Sequence, residues 1–286
     1  MKSTIGKVLA AAVAVVCTAT LAACGSSGQG PNPSPSVVAG ATPGGSLRIG
    51  ISFDQPGLGM KDGDTYSGFD VDTAIYIAKS LGVSEQNISW VEADPANREN
   101  LLTSGAVDMV LSTYSITDER KKKVSFAGPY FIAGQDLLIR ADDTSITGPD
   151  SLGGKTLCSV TGSTSAQNVK KQYPDVQLRE FGTYSECVAA LVAKGVDALT
   201  TDNTILAGYA SQAEYAGKLK VVGKTFSTEN YGIGLKLGNT DLCNKVTDAI
   251  KAMISDGSWQ KAVDANLGPA GFKPGDGNRP TPAACS

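Results

Sequence analysis

Two segments of the chain repeat one pattern, in which a helical stretch ends at a glycine and a Val-Asp pair opens a short apolar run. The copies are residues 105–112 (GAVDMVLS) and 195–202 (GVDALTTD). Short apolar runs of this kind are typical of buried strands. Such a helix-to-strand connection is common, so a chance match stays open. Because strands and helices alternate over residues 46–272, the repeat predicts two α/β lobes whose strand ends face each other across a cleft.

The order of the strands predicts that the second lobe is inserted into the first. Apolar stretches at 126–130 and 137–140 indicate a strand that crosses between the lobes, and residues 231–235 indicate a returning one. We expect lobe I at 46–132 and 229–272, lobe II at 133–228, and a C-terminal tail at 273–286.

A polar stretch, Ser112–Arg120 (STYSITDER), follows the first repeated strand. A guanidinium offers a planar fork that matches a carboxylate, and a hydroxyl both donates and accepts hydrogen bonds. Together these groups suit an α-amino acid. Alternatively, Thr117 caps a helix that begins at Asp118, and Arg120 belongs to a solvated basic face.

A second candidate site for an anion is Thr161–Ser165, which separates a predicted strand from a helix. Gly162 allows a tight turn, and the amides and hydroxyls of Ser163 and Thr164 would lie at a helix N-terminus. The alternative is an ordinary Ser/Thr cap without a ligand.

The first residues resemble a secretory signal, since Lys2 and Lys7 precede an apolar run that ends at Ala23. The sequence Leu21–Gly25 resembles a bacterial lipobox, so we expect a signal peptide at 1–23 and a lipid on Cys24. An ordinary signal peptide with an incidental Cys24 is the alternative. Residues 24–45 are rich in Gly, Ser and Pro and predict a flexible tether.

Charge and composition exclude several function classes. Removal of residues 1–23 takes two lysines from the 25 basic side chains and none of the 28 acids, which leaves a net charge of −5 and argues against a nucleic-acid partner. The chain has no histidine, which excludes His-based catalysis. We expect no metal and no cofactor.

Four cysteines, Cys158, Cys187, Cys243 and Cys285, form an even set in an oxidising compartment. Of the three possible pairings, we favour Cys158 with Cys187, which fall in adjacent elements, and therefore Cys243 with Cys285. Free thiols remain the alternative.

As a set, these motifs resemble the family-3 extracellular solute-binding proteins, which bind polar amino acids for ABC importers. The resemblance runs from Leu47 to about Leu267, and the versions at 53–59 and 201–208 are most similar to glutamate-binding lipoproteins of actinobacteria. The matching motifs are Gly68–Asp72, Val107-Asp108, Ser115–Arg120, Phe126–Tyr130, Gly153–Lys155, Gly162–Thr164, Val196–Ala198, Asp202 and Tyr231–Ile233.

The resemblance implies a periplasmic-binding-protein-like type II fold, with two α/β lobes joined by two crossing strands. It also implies that Arg120 binds the α-carboxylate of the ligand, with backbone amides near Ser115 and Thr164. Asp202, the Thr113 carbonyl and the Ser115 hydroxyl would bind the α-ammonium. Asp202 as a helix cap is the alternative.

The resemblance further implies that Phe53 packs against the ligand, with plain core packing as the alternative. A side-chain carboxylate would need another cation, and Arg98, just past a strand end, is our candidate. Lys61 is a weaker choice, and Arg98 as a surface residue is the alternative. Gly57-Leu58-Gly59 replaces a common Pro-aromatic pair, so a full aromatic sandwich is not expected.

These observations predict a monomeric, lipid-anchored, extracytoplasmic protein that carries glutamate, aspartate, glutamine or asparagine to an ABC permease. The ranking among these ligands stays open. A sensor ectodomain that signals to a membrane kinase, and an enzyme similar to cyclohexadienyl dehydratase, are the alternatives.

Overall fold

Residues 45–286 are described here from a computed structural model of the chain. The predicted signal peptide, Cys24 and the tether up to residue 44 lie outside the described residues. Within residues 45–286, no helix combines the length and the apolar character needed to cross a membrane.

Strands and helices alternate along the described chain. The strands are β1 Leu47–Ile51, β2 Asp54–Gln55, β3 Gly59–Asp62, β4 Thr65–Ser67, β5 Ile88–Glu92, β6 Met109–Val110, β7 Val124–Ala133, β8 Gln135–Arg140, β9 Thr156–Val160, β10 Gln177–Phe181, β11 Ala198–Asp202, β12 Leu219–Val221 and β13 Glu229–Lys236. The α-helices are α1 Phe69–Ser80, α2 Arg98–Thr103, α3 Asp118–Lys121, α4 Thr164–Gln172, α5 Tyr184–Val192, α6 Asn203–Ser211, α7 Thr240–Ser255 and α8 Ser258–Asn266.

Lobe I is built on a sheet with the strand order β5-β1-β6-β13-β7. Strand β1 runs parallel to β5 and β6, and β13 runs antiparallel to β6 and β7. The side chains of Leu47, Ile49 and Ile51 are buried, because helices α1 and α7 cover one face of the sheet. A small antiparallel sheet, β2-β3-β4, follows strand β1.

Lobe II is built on a second sheet with the order β10-β9-β11-β8-β12. Strand β9 runs parallel to β10 and β11, and β8 runs antiparallel to β11 and β12. The predicted fold class is therefore confirmed: each lobe is an α/β unit with parallel strands at its centre.

The chain crosses between the two lobe sheets twice. It leaves lobe I between β7 and β8, at Gly134, and returns between β12 and β13. A Cβ on Gly134 would lie 2.9 Å from the side chain of Thr225, so the two crossing segments pack too closely there for any other residue. The lobe boundaries at 132/133 and 228/229 stay a prediction.

The C-terminal tail lies along strand β7, at the edge of the first sheet. A disulfide joins Cys243 of α7 to Cys285, and a second disulfide joins Cys158 to Cys187, the pairing that the sequence favoured. The backbones of Ser286 and Phe126 exchange two hydrogen bonds. The tail thereby pairs an otherwise open strand edge.

Helix α1 has no side-chain cap, because the cap position is Gly68 and the helix begins at Phe69. The carboxylate of Asp70, in the first turn, is fully buried, where it accepts hydrogen bonds from the Thr113 amide (3.0 Å) and the Tyr130 hydroxyl (2.7 Å). Gly82 follows the helix in the left-handed conformation.

Candidate functional site

Arg120 lies on the short helix α3, and its side chain is buried. The Thr117 hydroxyl caps this helix by accepting a hydrogen bond from the Arg120 amide, as the alternative interpretation of this stretch predicted. The guanidinium, however, is not part of a solvated face. Only 5% of the residue is exposed, and the guanidinium lies over the Tyr114 ring at 5.0 Å.

The hydrogen bonds of the Arg120 guanidinium leave two N–H groups free. Nη1 donates to the Ser115 carbonyl (2.7 Å), Nη2 donates to the Gly162 carbonyl of lobe II (3.0 Å), and Nε lies 3.5 Å from the Glu99 carboxylate. A guanidinium has five N–H donors. One N–H on each terminal nitrogen therefore has no acceptor among the described residues and is available to a ligand. Burial, followed by the charge of Arg98, lowers the pKa of Arg120 to about 10, and the group stays charged at neutral pH.

Asp202 ends strand β11 and occupies the cap position of α6, yet its side chain makes no capping bond. The residue is 4% exposed. Its Oδ2 accepts a hydrogen bond from the Tyr231 hydroxyl (2.8 Å), and its Oδ1 has no partner within residues 45–286. Burial, followed by the neighbouring charge of Glu229, raises the pKa of Asp202 to about 8. Within residues 45–286, Asp202 forms no ion pair with a lysine or an arginine.

Arg120 and Asp202 lie within electrostatic range of each other, since the charge of Arg120 opposes the rise in the pKa of Asp202. The lobes also meet beside them, where the Thr164 hydroxyl lies 3.4 Å from the Ser115 hydroxyl. The two predicted halves of the site, one from each lobe, are thus brought together.

At the start of α4, the predicted anion site, one residue caps the helix and two backbone amides have no partner within the described residues. The Ser163 hydroxyl caps the helix by accepting from the Ala166 amide (3.0 Å), as the simpler interpretation held. The Thr164 hydroxyl donates to the Glu229 carboxylate (2.9 Å). The backbone amides of Thr164 and Ser165 make no hydrogen bond to the described part of the chain, and they are available to a carboxylate.

Thr113 adopts a backbone conformation that a β-branched side chain rarely tolerates, with φ at 43°. Its amide donates to Asp70, and its hydroxyl donates to the Gln55 side chain (3.1 Å). Burial raises the pKa of Asp70 to about 6, although the Tyr130 hydroxyl opposes this rise. Strain of this kind persists where the surroundings fix the backbone, and such positions cluster at ligand sites.

Arg98 is buried, with 2% of the residue exposed, so the alternative of a surface arginine is wrong. Its Nη1 donates to the Ser112 carbonyl (2.8 Å), and its guanidinium lies 4.3 Å from the centre of the Tyr114 ring. Its Nε has no partner among residues 45–286. The charge of Arg98 also opposes the pKa rise of Asp202.

Phe53 is half-buried at the margin of the lobe I core. Its ring packs against Tyr66 at a centroid distance of 5.4 Å, and the Lys61 ammonium lies 5.1 Å from its centre. The two residues that the sequence proposed separately, Phe53 and Lys61, therefore lie together.

Sequence reasoning assigned no role to three polar residues at this site. Gln55 is fully buried with an unpartnered Nε2 within the described residues, and Asp54 contacts lobe II. Both follow strand β1, and a position just past a strand end is a signal that could have identified them. Glu229 is buried on β13 between Thr164 and Ser227, and no motif in the sequence marked it.

Most of the chain is similar in sequence to known proteins. Residues 47–269 match the bacterial extracellular solute-binding proteins, family 3. The chain is 43% identical to the glutamate-binding protein GluB of Corynebacterium efficiens over 270 residues, which cover 91% of this chain and 90% of the relative. It is 39% identical to the glutamine-binding protein of Geobacillus stearothermophilus over 206 residues, which cover 71% and 78% of the two chains.

A solved structure of an ancestral arginine-binding protein bound to glutamine superposes with a TM-score of 0.73 and 39% identity. The match covers 78% of this chain and 98% of that one. The predicted resemblance is confirmed, and the expectation of a binding protein rather than an enzyme agrees with these relatives. The chain belongs to the family 3 bacterial extracellular solute-binding proteins.

Proposed function

We propose that this protein captures an acidic amino acid or its amide, most readily glutamate, outside the cytoplasm and delivers it to an ABC importer. The main observation in support of the proposal is that a cation and an acid, Arg120 and Asp202, each have a hydrogen-bonding group without a partner within the described residues. Arg120 has two free N–H donors, and Asp202 has a buried oxygen without a donor within residues 45–286.

These unmet groups match the two poles of a free amino acid. An α-carboxylate accepts two parallel bonds from a guanidinium, and an α-ammonium donates to a carboxylate. The free amides of Thr164 and Ser165 add donors for the carboxylate. The Ser115 hydroxyl and the Thr113 carbonyl are the proposed acceptors for the ammonium. A zwitterion taken from water needs such partners at both poles, because unpaired buried charges are costly.

The side chain of the ligand would contact hydrogen-bond donors rather than hydrogen-bond acceptors. Arg98 Nε and Gln55 Nε2 are both buried and unpartnered within the described residues. The Thr113 hydroxyl and carbonyl lie between these two side chains, at 3.1 Å and 3.5 Å. Two donors, one of them charged, suit a carboxylate better than an amide. The names of the glutamate- and glutamine-binding relatives support the same ligand class.

Delivery would follow closure of the lobes around the ligand, with the closed form recognised by the permease. Membrane attachment through a lipid on Cys24 and a monomeric state belong to the proposal. A sensor that passes the ligand state to a membrane kinase would use the same closed form. Loss of amino-acid uptake on deletion of this gene favours import, and unchanged uptake favours sensing.

The proposed ligand class is tested by calorimetry with all twenty amino acids. We expect glutamate, aspartate, glutamine or asparagine to bind, with glutamate ahead. Arg120→Lys should weaken binding by about a hundredfold or more, because an ammonium cannot make the fork and still serve both carbonyls. Lys121→Ala, on the same helix but half-exposed, is the matched control and should bind normally. No response to any amino acid, or tight binding by Arg120→Lys, would contradict the proposal.

A further inference from the structure

Asp54 of lobe I spans the cleft and bonds to lobe II at a point that the sequence analysis did not identify. Its Oδ2 accepts hydrogen bonds from the backbone amides of Tyr184 (3.0 Å) and Ser185 (3.2 Å), at the start of helix α5. We infer that Asp54 is a latch that sets how slowly the closed protein releases its amino acid, without touching that amino acid. This inference rests on the proposed function.

Helix α5 is arranged to accept this carboxylate. Its own cap is Thr183, whose hydroxyl accepts a hydrogen bond from the Glu186 amide, while the Glu186 carboxylate accepts one from the Thr183 amide. The amides of Tyr184 and Ser185 remain, and helix N-termini leave such donors for an anion. Asp54 therefore completes a helix cap in the other lobe, and separation of the lobes would break this contact.

A third group of lobe II joins the same contact. The Tyr209 hydroxyl of α6 donates to the backbone carbonyl of Asp54 and lies 3.2 Å from its Oδ2. Beside it, a Cβ on Gly208 would lie only 2.1 Å from the Pro56 carbonyl, so α6 and the Asp54 segment touch backbone to backbone. The contact is thus formed by two helices of lobe II and one strand of lobe I.

The other oxygen of Asp54 is held within its own lobe. Oδ1 accepts from the Ser52 hydroxyl (2.9 Å), which fixes the carboxylate in the direction of α5. Asp54 also lies near two other acids, Glu92 and Asp94. Burial raises the pKa of both, and Asp54 adds to the rise. A cluster of like charges on lobe I is relieved when one member meets the N-terminus of a helix.

The effect of such a latch differs from that of a ligand-contacting residue. Apparent affinity depends on the share of molecules that can close, so a weaker latch should weaken every amino acid by the same factor. Changes of this kind fall mainly on the dissociation rate. The ranking among ligands should stay the same, because Asp54 makes no contact with the Arg120 and Asp202 pair among the described residues.

The test compares Asp54→Ala with Asp62→Ala, a matched control on the exposed end of strand β3. Dissociation rates of glutamate and glutamine are measured by stopped-flow fluorescence. We expect Asp54→Ala to release both ligands about tenfold faster, as the loss of charge-assisted hydrogen bonds predicts, and Asp62→Ala to behave as the unmodified protein. Asp54→Asn keeps an acceptor for α5 and a donor for Ser52, so its change should be smaller, about threefold.

A double-mutant cycle connects the effect to lobe II. Ser185→Ala removes a lobe II donor to the Asp54 carboxylate, the Ser185 hydroxyl at 3.4 Å, so its effect on release should be much smaller in the Asp54→Ala background than in the unmodified one. Equal release rates for Asp54→Ala and Asp62→Ala, a changed ligand ranking, or fully additive effects would each overturn the inference.

Small-angle scattering separates failure of the latch from failure of the proposed function. If no amino acid binds the unmodified protein, the proposed function fails, and the latch is still tested by the radius of gyration. We expect a larger radius for Asp54→Ala than for Asp62→Ala. Equal radii in that case would overturn the latch as well.

Discussion

Replacement of Asp202 by Asn should weaken ligand binding and strengthen the fold at the same time. The substitution keeps the shape of the side chain and an acceptor for the Tyr231 hydroxyl, which lies 2.8 Å from Oδ2. It removes the negative charge at Oδ1, the buried oxygen without a partner within residues 45–286. An amide would present an N–H donor to the ligand ammonium, which has only donors itself.

The loss of binding follows from breaking a buried charge pair. Truncation of one partner in such a pair costs about 2–5 kcal/mol, which corresponds to a loss of affinity between about 30-fold and several thousandfold.

The gain in stability follows from the pKa of Asp202. The folded protein raises this pKa from 3.8 to about 8, through burial and then the charge of Glu229. An acid with a raised pKa binds more protons folded than unfolded, so it destabilises the fold only above its unfolded pKa. At about 1.4 kcal/mol per unit, the penalty reaches up to about 4 kcal/mol at pH 7 and vanishes near pH 4. Asn carries no such penalty.

Urea unfolding of both proteins without ligand, at pH 7 and at pH 4, measures this difference, and calorimetry with glutamate measures binding. Asp136→Asn is the matched control, because this buried acid of lobe II bonds to the Leu137 amide and should leave binding unchanged. We expect Asp202→Asn to be more stable than the unmodified protein at pH 7 by about 1–4 kcal/mol and to lose this advantage at pH 4. Equal glutamate affinity, or lower stability at pH 7, would refute the reasoning.

Three further predictions concern closure, selectivity and the tail. Gly208→Ala should prevent full closure, because its Cβ would lie 2.1 Å from the Pro56 carbonyl, and calorimetry should show a loss of affinity of at least about tenfold. Gly153→Ala, with open space around its Cβ, is its control, and equal affinities would contradict the contact. Arg98→Gln should weaken glutamate more than glutamine in calorimetry, because it removes a charged donor, and equal losses would remove Arg98 from the side-chain site. Paired replacement of Cys243 and Cys285 by Ser should lower the free energy of unfolding by about 2–4 kcal/mol in urea titrations, since the disulfide closes a loop of 42 residues, and an unchanged value would contradict its stabilising role.

Local chemistry explains which parts of the site the sequence predicted. Arg120 and Asp202 each follow a short apolar strand, and the end of such a strand is where ligands bind in α/β folds. A strand end predicts the location of a side chain without any knowledge of distant contacts. Thr164 was identified from a different local signal, the free amides at the start of a helix.

The groups that sequence missed depend on contacts between distant segments. Asp70 lies at the start of a helix, where an acid is usually a cap, but its partner Thr113 lies 43 positions away. Asp54 accepts a hydrogen bond from Tyr184, 130 positions further along and in the other lobe. The burial of Arg98 and Glu229 could not be predicted either, because charged residues usually lie on the surface.

The most direct test of this account is a crystal structure of the protein with bound glutamate. We expect the α-carboxylate to make two bonds to the Arg120 guanidinium and the α-ammonium to lie within 3.2 Å, about the length of a hydrogen bond, of Asp202 Oδ1. A glutamate bound elsewhere, or bound with its α-carboxylate away from Arg120, would contradict it.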